Sequence, residues 1–376
     1  MNRRKFIKMS ALAAPLALSL RQPVVSQILS GTAKSEQFTL DMLSSQDRLI
    51  AQQIGEMTAA LFFKGLLNRS NPKDYPLPTD SSSPEATAAK IAANINSKVF
   101  ERITPKLKTV LQEPTKLKLA LGSLQTQQID FRRPSLMPYF DRMSVKPSTR
   151  TPSRVLPSLT LPSIQPKFTS TPPLVVVPPL PKVTPIPSTP RYNRLDLVMR
   201  RLECLDVTDS GGTDSMILGG VKVEANGGVG TINAFICGDF DNGDVHDFGE
   251  LPIAQYDLTN TGGYPKTVYA VFQLTESDQN DADAAKELNS ALSTIINYVA
   301  SLFIPGVGAV VGAIFSAINV LIDFLIDDDY FPPYGIRLTM NNENPFGSAV
   351  SPEQMSGFMD GHDGRYRIHY KWILNA

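Results

Sequence analysis

Two short stretches gather carboxylates onto glycine-rich loops. One is CLDVTDSGGTDSM, with Asp206, Asp209 and Asp214; the other is GDFDNGDVHDFGE, with Asp239, Asp241, Asp244, Asp247 and Glu250. Calcium takes six to eight oxygen ligands, and closely spaced Asp residues on turns supply them. Counted from Asp239 as position one, Asp241, Asp247 and Glu250 fall at positions three, nine and twelve, as in an EF-hand loop. Gly243 at five and Asp244 at six reverse the required order, and strand-like runs flank the loop, so it is not an EF-hand. The expectation is a Ca²⁺ site shared by the two loops at one end of a pair of sheets. Plain solvated hairpin turns use the same residue types.

Other reactive side chains are few. His246 stands between Asp244 and Asp247, where a carboxylate could orient it as a general base, so a hydrolase is the third functional reading. The chain has no Gly-x-Ser-x-Gly elbow, His-Glu-x-x-His pair or Walker loop to go with it. His362 and His369 are scattered, and His369 falls on the polar face of a strand, the usual place of a surface histidine. Cys204 and Cys237 end the strand-like runs RRLECLD and TINAFICGDF. They are disulfide candidates if they sit on neighbouring strands with Cα atoms within about 7 Å.

The elements that must position these loops belong to an acidic domain over residues 194–376. Short strand patterns alternate with turn signals (MILGGVKVEA, TINAFICG, PKTVYAVFQLTE), which predicts an antiparallel β-sandwich. The clearest strand is GRYRIHYKWIL: Tyr366, Ile368, Tyr370, Trp372 and Leu374 share one face, and Arg365, Arg367, His369 and Lys371 the other. An apolar α-helical hairpin over about residues 283–327 interrupts the strands, its two arms separated by a turn signal at Pro305-Gly306. The first arm is amphipathic, which suits a helix packed on a core. The second is apolar nearly all round, and Gly308, Gly312 and Ser316 recur at four-residue spacing, a ridge that lets two helix backbones approach closely. Asp323 and the acidic run 327–329 argue against a permanent membrane span. The hairpin is expected to pack on the sandwich or in an oligomer interface.

Ahead of this domain lie two other regions. Residues 27–143 read as a helical basic region, with SSQDRLIAQQIGEMTAALFFKGLLN at helical spacing and Ser83-Pro84-Glu85 starting a second helix that runs to Pro105. Residues 144–193 form a proline-rich linker with 13 of the chain's 30 prolines, extended and semi-rigid in character. The fold class is thus α+β. Residues 27–194 carry 22 Lys and Arg against 11 Asp and Glu, while residues 195–376 carry 9 against 25. A basic front and an acidic back predict different partners.

The N-terminus reads MNRRKFIKMSALAAPLALSL, a basic start before a short apolar run. The order Arg3-Arg4-Lys5-Phe6-Ile7-Lys8 resembles a twin-arginine (Tat) export signal over residues 1–26. The resemblance implies a bacterial protein that folds before export to the periplasm or the extracellular space. Taken together, the residues predict a non-enzymatic envelope binding or structural protein. Its basic region would meet an anionic surface or a protein partner; no specific nucleic-acid signal is present. The alternative is a membrane-active effector that inserts the 288–326 hairpin on demand, by analogy with the hydropathy of pore-forming toxins.

Overall fold

The computed structural model describes residues 33–125, 129–141, 192–208, 213–259, 263–277, 281–300, 306–326 and 329–376. The export-signal resemblance, the proline-rich stretch up to residue 191 and Asp209 lie outside the described residues.

The chain is α+β, with helices and two antiparallel sheets. It opens with β1 (Ala33–Phe38), followed by the helices α1 (Ser45–Ser70), α2 (Pro84–Ala93), α3 (Ser97–Gln112), α4 (Pro114–Gln125) and α5 (Met137–Phe140). Five strands follow: β2 (Arg194–Asp206), β3 (Asp214–Val223), β4 (Val229–Phe240), β5 (Val245–Asp257) and β6 (Lys266–Glu276). Then come α6 (Asp281–Ala300), α7 (Val307–Leu325), β7 (Asp329–Tyr330), β8 (Tyr334–Met340), β9 (Gln354–Met355), β10 (Met359–Gly361) and β11 (Gly364–Asn375). The first sheet runs β1-β8-β6-β3-β4 with β7 beside β6; the second runs β10-β11-β2-β5 with β9 beside β11.

The expected helical region therefore begins with a strand. β1 pairs with β8 from Ala33 opposite Met340 to Phe38 opposite Gly335. Its sequence AKSEQF is largely polar and has no apolar alternation, which hides it from a pattern reading. Ser83 caps α2 as expected, its hydroxyl accepting from the Ala86 N–H at 3.2 Å, with Pro84 in the first turn. The helix expected to run on to Pro105 instead stops at Ala93. Asn96 starts a new one by accepting from the Lys98 N–H at 2.8 Å, and Pro105 lies inside α3.

Two hydrophobic cores explain the sequence patterns. One draws Leu197, Met199, Ile368 and Trp372 from the second sheet and Leu218, Ala270, Phe272 and Ile336 from the first. The other joins the helices to the opposite face of the first sheet, through Ile217, Val221, Tyr269 and Val271. β6 is thus buried on both faces, and its VYAVF is a continuous apolar run. β11 is buried on one face and alternates.

Behind the first sheet the helices stack in depth. α6 packs on β3 and β4, α7 touches β3, and α1 lies across α7. α1 and α7 are buried along most of their length. Phe62 meets Tyr298 of α6 edge-on at 5.7 Å, and Phe63 meets Phe324 of α7 at 5.3 Å. Arg102 of α3 binds both Glu287 of α6 and, at 2.8 Å, the Leu325 carbonyl that ends α7. Residues 129–141 are held by two buried charges. Lys64 donates to the carbonyls of Phe131 and Arg133 at 2.7 and 2.8 Å, and Glu85 accepts from the Leu136 N–H at 2.6 Å.

Candidate functional site

The two acidic loops lie side by side because β2 pairs with β5. The Cys204 N–H donates to the Asp244 carbonyl at 2.8 Å, and the Gly243 N–H donates to the Cys204 carbonyl at 3.1 Å. The Val207 N–H donates to Asn242 Oδ1 at 2.7 Å, tying the exit of β2 to the β4–β5 turn. Gly243 takes φ +87° in that turn, a conformation that glycine adopts without strain.

Four of the expected calcium ligands, Asp214, Asp244, Asp247 and Glu250, have protein donors. Asp214 is 1% exposed: Oδ1 accepts from the Thr208 hydroxyl at 2.8 Å, and Oδ2 from the Thr208 N–H and the Tyr366 hydroxyl, each at 2.6 Å. Burial, together with this carboxylate, pushes the Tyr366 phenol far up. Asp244 accepts from the Asp241 N–H at 2.9 Å, and Asp247 from the Gly249 N–H at 2.6 Å. Glu250 is paired with Lys371, whose hydrogen bond and charge hold its carboxyl below the usual range. Asp206, Asp239 and Asp241 are exposed. Among the described residues, no group of three or more His, Cys, Asp or Glu side chains is arranged to hold a metal ion. A cation at this end would draw on the exposed carboxylates, since the buried one is consumed by three donors.

His246 is not oriented by its neighbouring carboxylates, contrary to expectation. Its ring stacks on Phe240 at 4.0 Å, and Nδ1 lies 3.0 Å from the Cys237 carbonyl. The expected disulfide is also absent: Cys204 and Cys237 are free and buried. The expectation placed them on neighbouring strands, whereas β2 and β4 belong to different sheets, and both thiols lie in the core between them. Burial raises both thiols above their ordinary range.

A second polar cluster was not legible in the sequence. His369 sits on the expected outer face of β11, yet it is only 8% exposed. Nε2 lies 3.2 Å from Glu203 of β2, and Nδ1 lies 3.4 Å from Glu353. Arg201 reaches the same Glu353 at 2.5 Å, and Arg367 lies 3.6 Å from Glu203. Phe358 lies under the guanidinium groups of Arg365 and Arg367, at 5.0 and 4.3 Å from the ring centre. Strand alternation gave the basic half of this cluster; Glu353 comes from an irregular segment whose path no periodicity announces.

The ridge of small residues on α7 faces α1, not the other arm of the helix pair. A Cβ on Gly312 would lie 2.6 Å from Ala51 Cβ and 2.7 Å from Leu43 Cδ1; one on Gly308 would lie 3.3 Å from Leu43 Cδ2. Ser316 Cβ stands 2.8 Å from the place a Cβ on Gly55 would take. A cavity of about 150 Å³ lies beside this contact, lined by Gln52, Gly55, Glu56, Gly122 and Ser316 among others. Among the described residues, no helix is long and apolar enough to cross a membrane. Comparison with family models, curated proteins and solved structures finds no match to this chain.

Proposed function

We propose that this chain is an exported, non-enzymatic binding or structural protein of the bacterial envelope. In this reading the two sheets form a β-sandwich, and α6 and α7 are an apolar helical hairpin inserted between its strands. One observation carries it: the most membrane-like stretch already has protein on both sides, β3 on one and α1 on the other. What the sheets offer to a partner is then polar. The acidic loops at one end would engage it with Ca²⁺, and the basic residues of the N-terminal region would meet an anionic surface by charge attraction.

The test is flotation and dye leakage with anionic liposomes, using residues 27–376, with calcium or chelator, at pH 7 and pH 5. Salt-sensitive flotation without leakage is expected, with a melting temperature that rises on adding calcium. Leakage that disappears when Gly312 becomes bulky would replace this proposal with membrane insertion. No flotation at low salt would remove the anionic surface from it, and an unchanged melting temperature would remove calcium.

A further inference from the structure

We propose that His369 is a proton-dependent clasp that holds residues 349–357 on the edge of β11. Its two ring nitrogens face carboxylates on different elements, Glu203 on β2 and Glu353 on the segment between β8 and β9. A neutral imidazole has one N–H and can donate to one of them, leaving a lone pair turned toward the other anion. An imidazolium presents an N–H to each, as a hydrogen bond to Glu203 and as an ion pair with Glu353 at 3.4 Å. The geometry therefore fits the charged ring.

The surrounding charges sharpen the case. On β2, Arg201 binds Glu353 and Arg200 lies 3.7 Å from it; on β11, Arg367 lies 3.6 Å from Glu203. Lys371 of β11 is paired with Glu250 of β5, and Asp247 of β5 acts on Arg201 through space. Each carboxylate beside the ring thus has an arginine whatever the pH. Histidine is the side-chain type in this set whose charge changes near neutrality.

Glu353 matters because of what it closes. The segment lies along β11 through few backbone pairs: Leu374 N–H to the Ala349 carbonyl at 2.7 Å, Ser351 N–H to the Trp372 carbonyl at 2.9 Å, and Ser356 N–H to the Ile368 carbonyl at 2.8 Å. The N–H groups of Trp372 and Ile368 are taken by the hydroxyls of Ser351 and Ser356, both at 2.9 Å, in place of ladder carbonyls. Between the two serines lie Pro352, Glu353 and β9, whose Gln354 and Met355 stand opposite Tyr370 and His369 of β11, and the grip of Glu353 on His369, Arg200 and Arg201 fastens the start of that pairing. Loss of the ring proton removes the charge attraction between the ring and Glu353 and loosens the cover over an otherwise pairable strand edge.

The test is hydrogen exchange by mass spectrometry on the whole protein from pH 5.5 to 8.5, with rates corrected for intrinsic exchange, alongside an NMR titration of the ring. Protection of residues 349–357 should fall at least tenfold as His369 loses its proton, while β6 stays unchanged. His369→Gln should make the profile flat. Should that variant fold poorly, Glu353→Gln serves instead and should flatten the profile in the same way. A profile that is flat in the native protein while His369 titrates overturns the proposal, as does a pH dependence that survives in both variants.

Discussion

Gly312→Ala places a methyl group 2.6 Å from Ala51 Cβ and 2.7 Å from Leu43 Cδ1, where carbon atoms prefer about 3.5–4.0 Å. The overlap is on the order of 1 Å at two atoms at once. Overpacking of a filled core costs about 1–3 kcal/mol, and replacing glycine in a helix interior returns about 1. A net loss of up to about 2 kcal/mol is expected. Ala51→Gly alone should cost about 1 kcal/mol in helix propensity, plus about 1 for the methyl-sized void. In the double variant the methyl has moved from α1 to α7 and its clash with position 51 is gone. The two changes should therefore be non-additive by about 1 kcal/mol or more, with the Leu43 contact keeping recovery incomplete. Urea unfolding of the four proteins, read as midpoints at constant slope, measures this coupling. Strictly additive costs would mean that Gly312 does not face Ala51, and the burial of α7 under α1 would fall with it.

Two other perturbations probe buried groups. Lys64 is fully buried, and desolvation lowers its pKa from the ordinary 10.5 to about 8, against the opposing pull of Glu85 and Asp130. The unfolded chain then binds a proton that the folded one lacks between these values, so the cost of burying the ammonium is fully present below pH 8. Stability should rise by up to about 3 kcal/mol from pH 8 to 10.5, and Lys64→Met should abolish that rise in pH-dependent urea melts. Cys204 and Cys237 should be unreactive to a thiol reagent in the native protein and both titrate in denaturant; no reactive thiol in denaturant would contradict their being free.

What the sequence made legible depends on how many faces of an element meet solvent. β11 was readable because one face is wet: the alternation of Tyr366 through Leu374 with Arg365 through Lys371 is the record of that boundary. The Ser83-Pro84 start of α2 was readable because capping is local chemistry. β1 was not, because an edge strand of polar residues acquires its meaning from β8, some three hundred residues away. The acidic loops lie side by side, but how their carboxylates are used is not written in either loop. Nothing local shows that Asp214 serves Thr208 and Tyr366, since the Tyr366 hydroxyl comes from the last strand. The His369 cluster failed in the same way, through Glu353.

The same reasoning accounts for the stretch that looks most like a membrane segment. A helix apolar on one side has one packing partner; a helix apolar all round is buried all round, by lipid or by protein. α7 has Ala309, Ala313 and Ala317 buried along with Val311, Ile314, Ile318, Leu321 and Ile322, residues that cover roughly 220° of its circumference, with Gly312 buried and Asn319 exposed on the remaining arc. The first sheet and α1 supply the two sides. Hydropathy cannot separate these solvents, because both exclude water, but packing can. Lipid tails conform to any surface, whereas α1 and the residues just before it meet the ridge with Ala51, Gly55 and Leu43, where one added carbon atom no longer fits. Glycine at position 312 is required by a protein neighbour of fixed shape and would be dispensable against a fluid one. The tolerance of that position to alanine therefore reports which solvent α7 has.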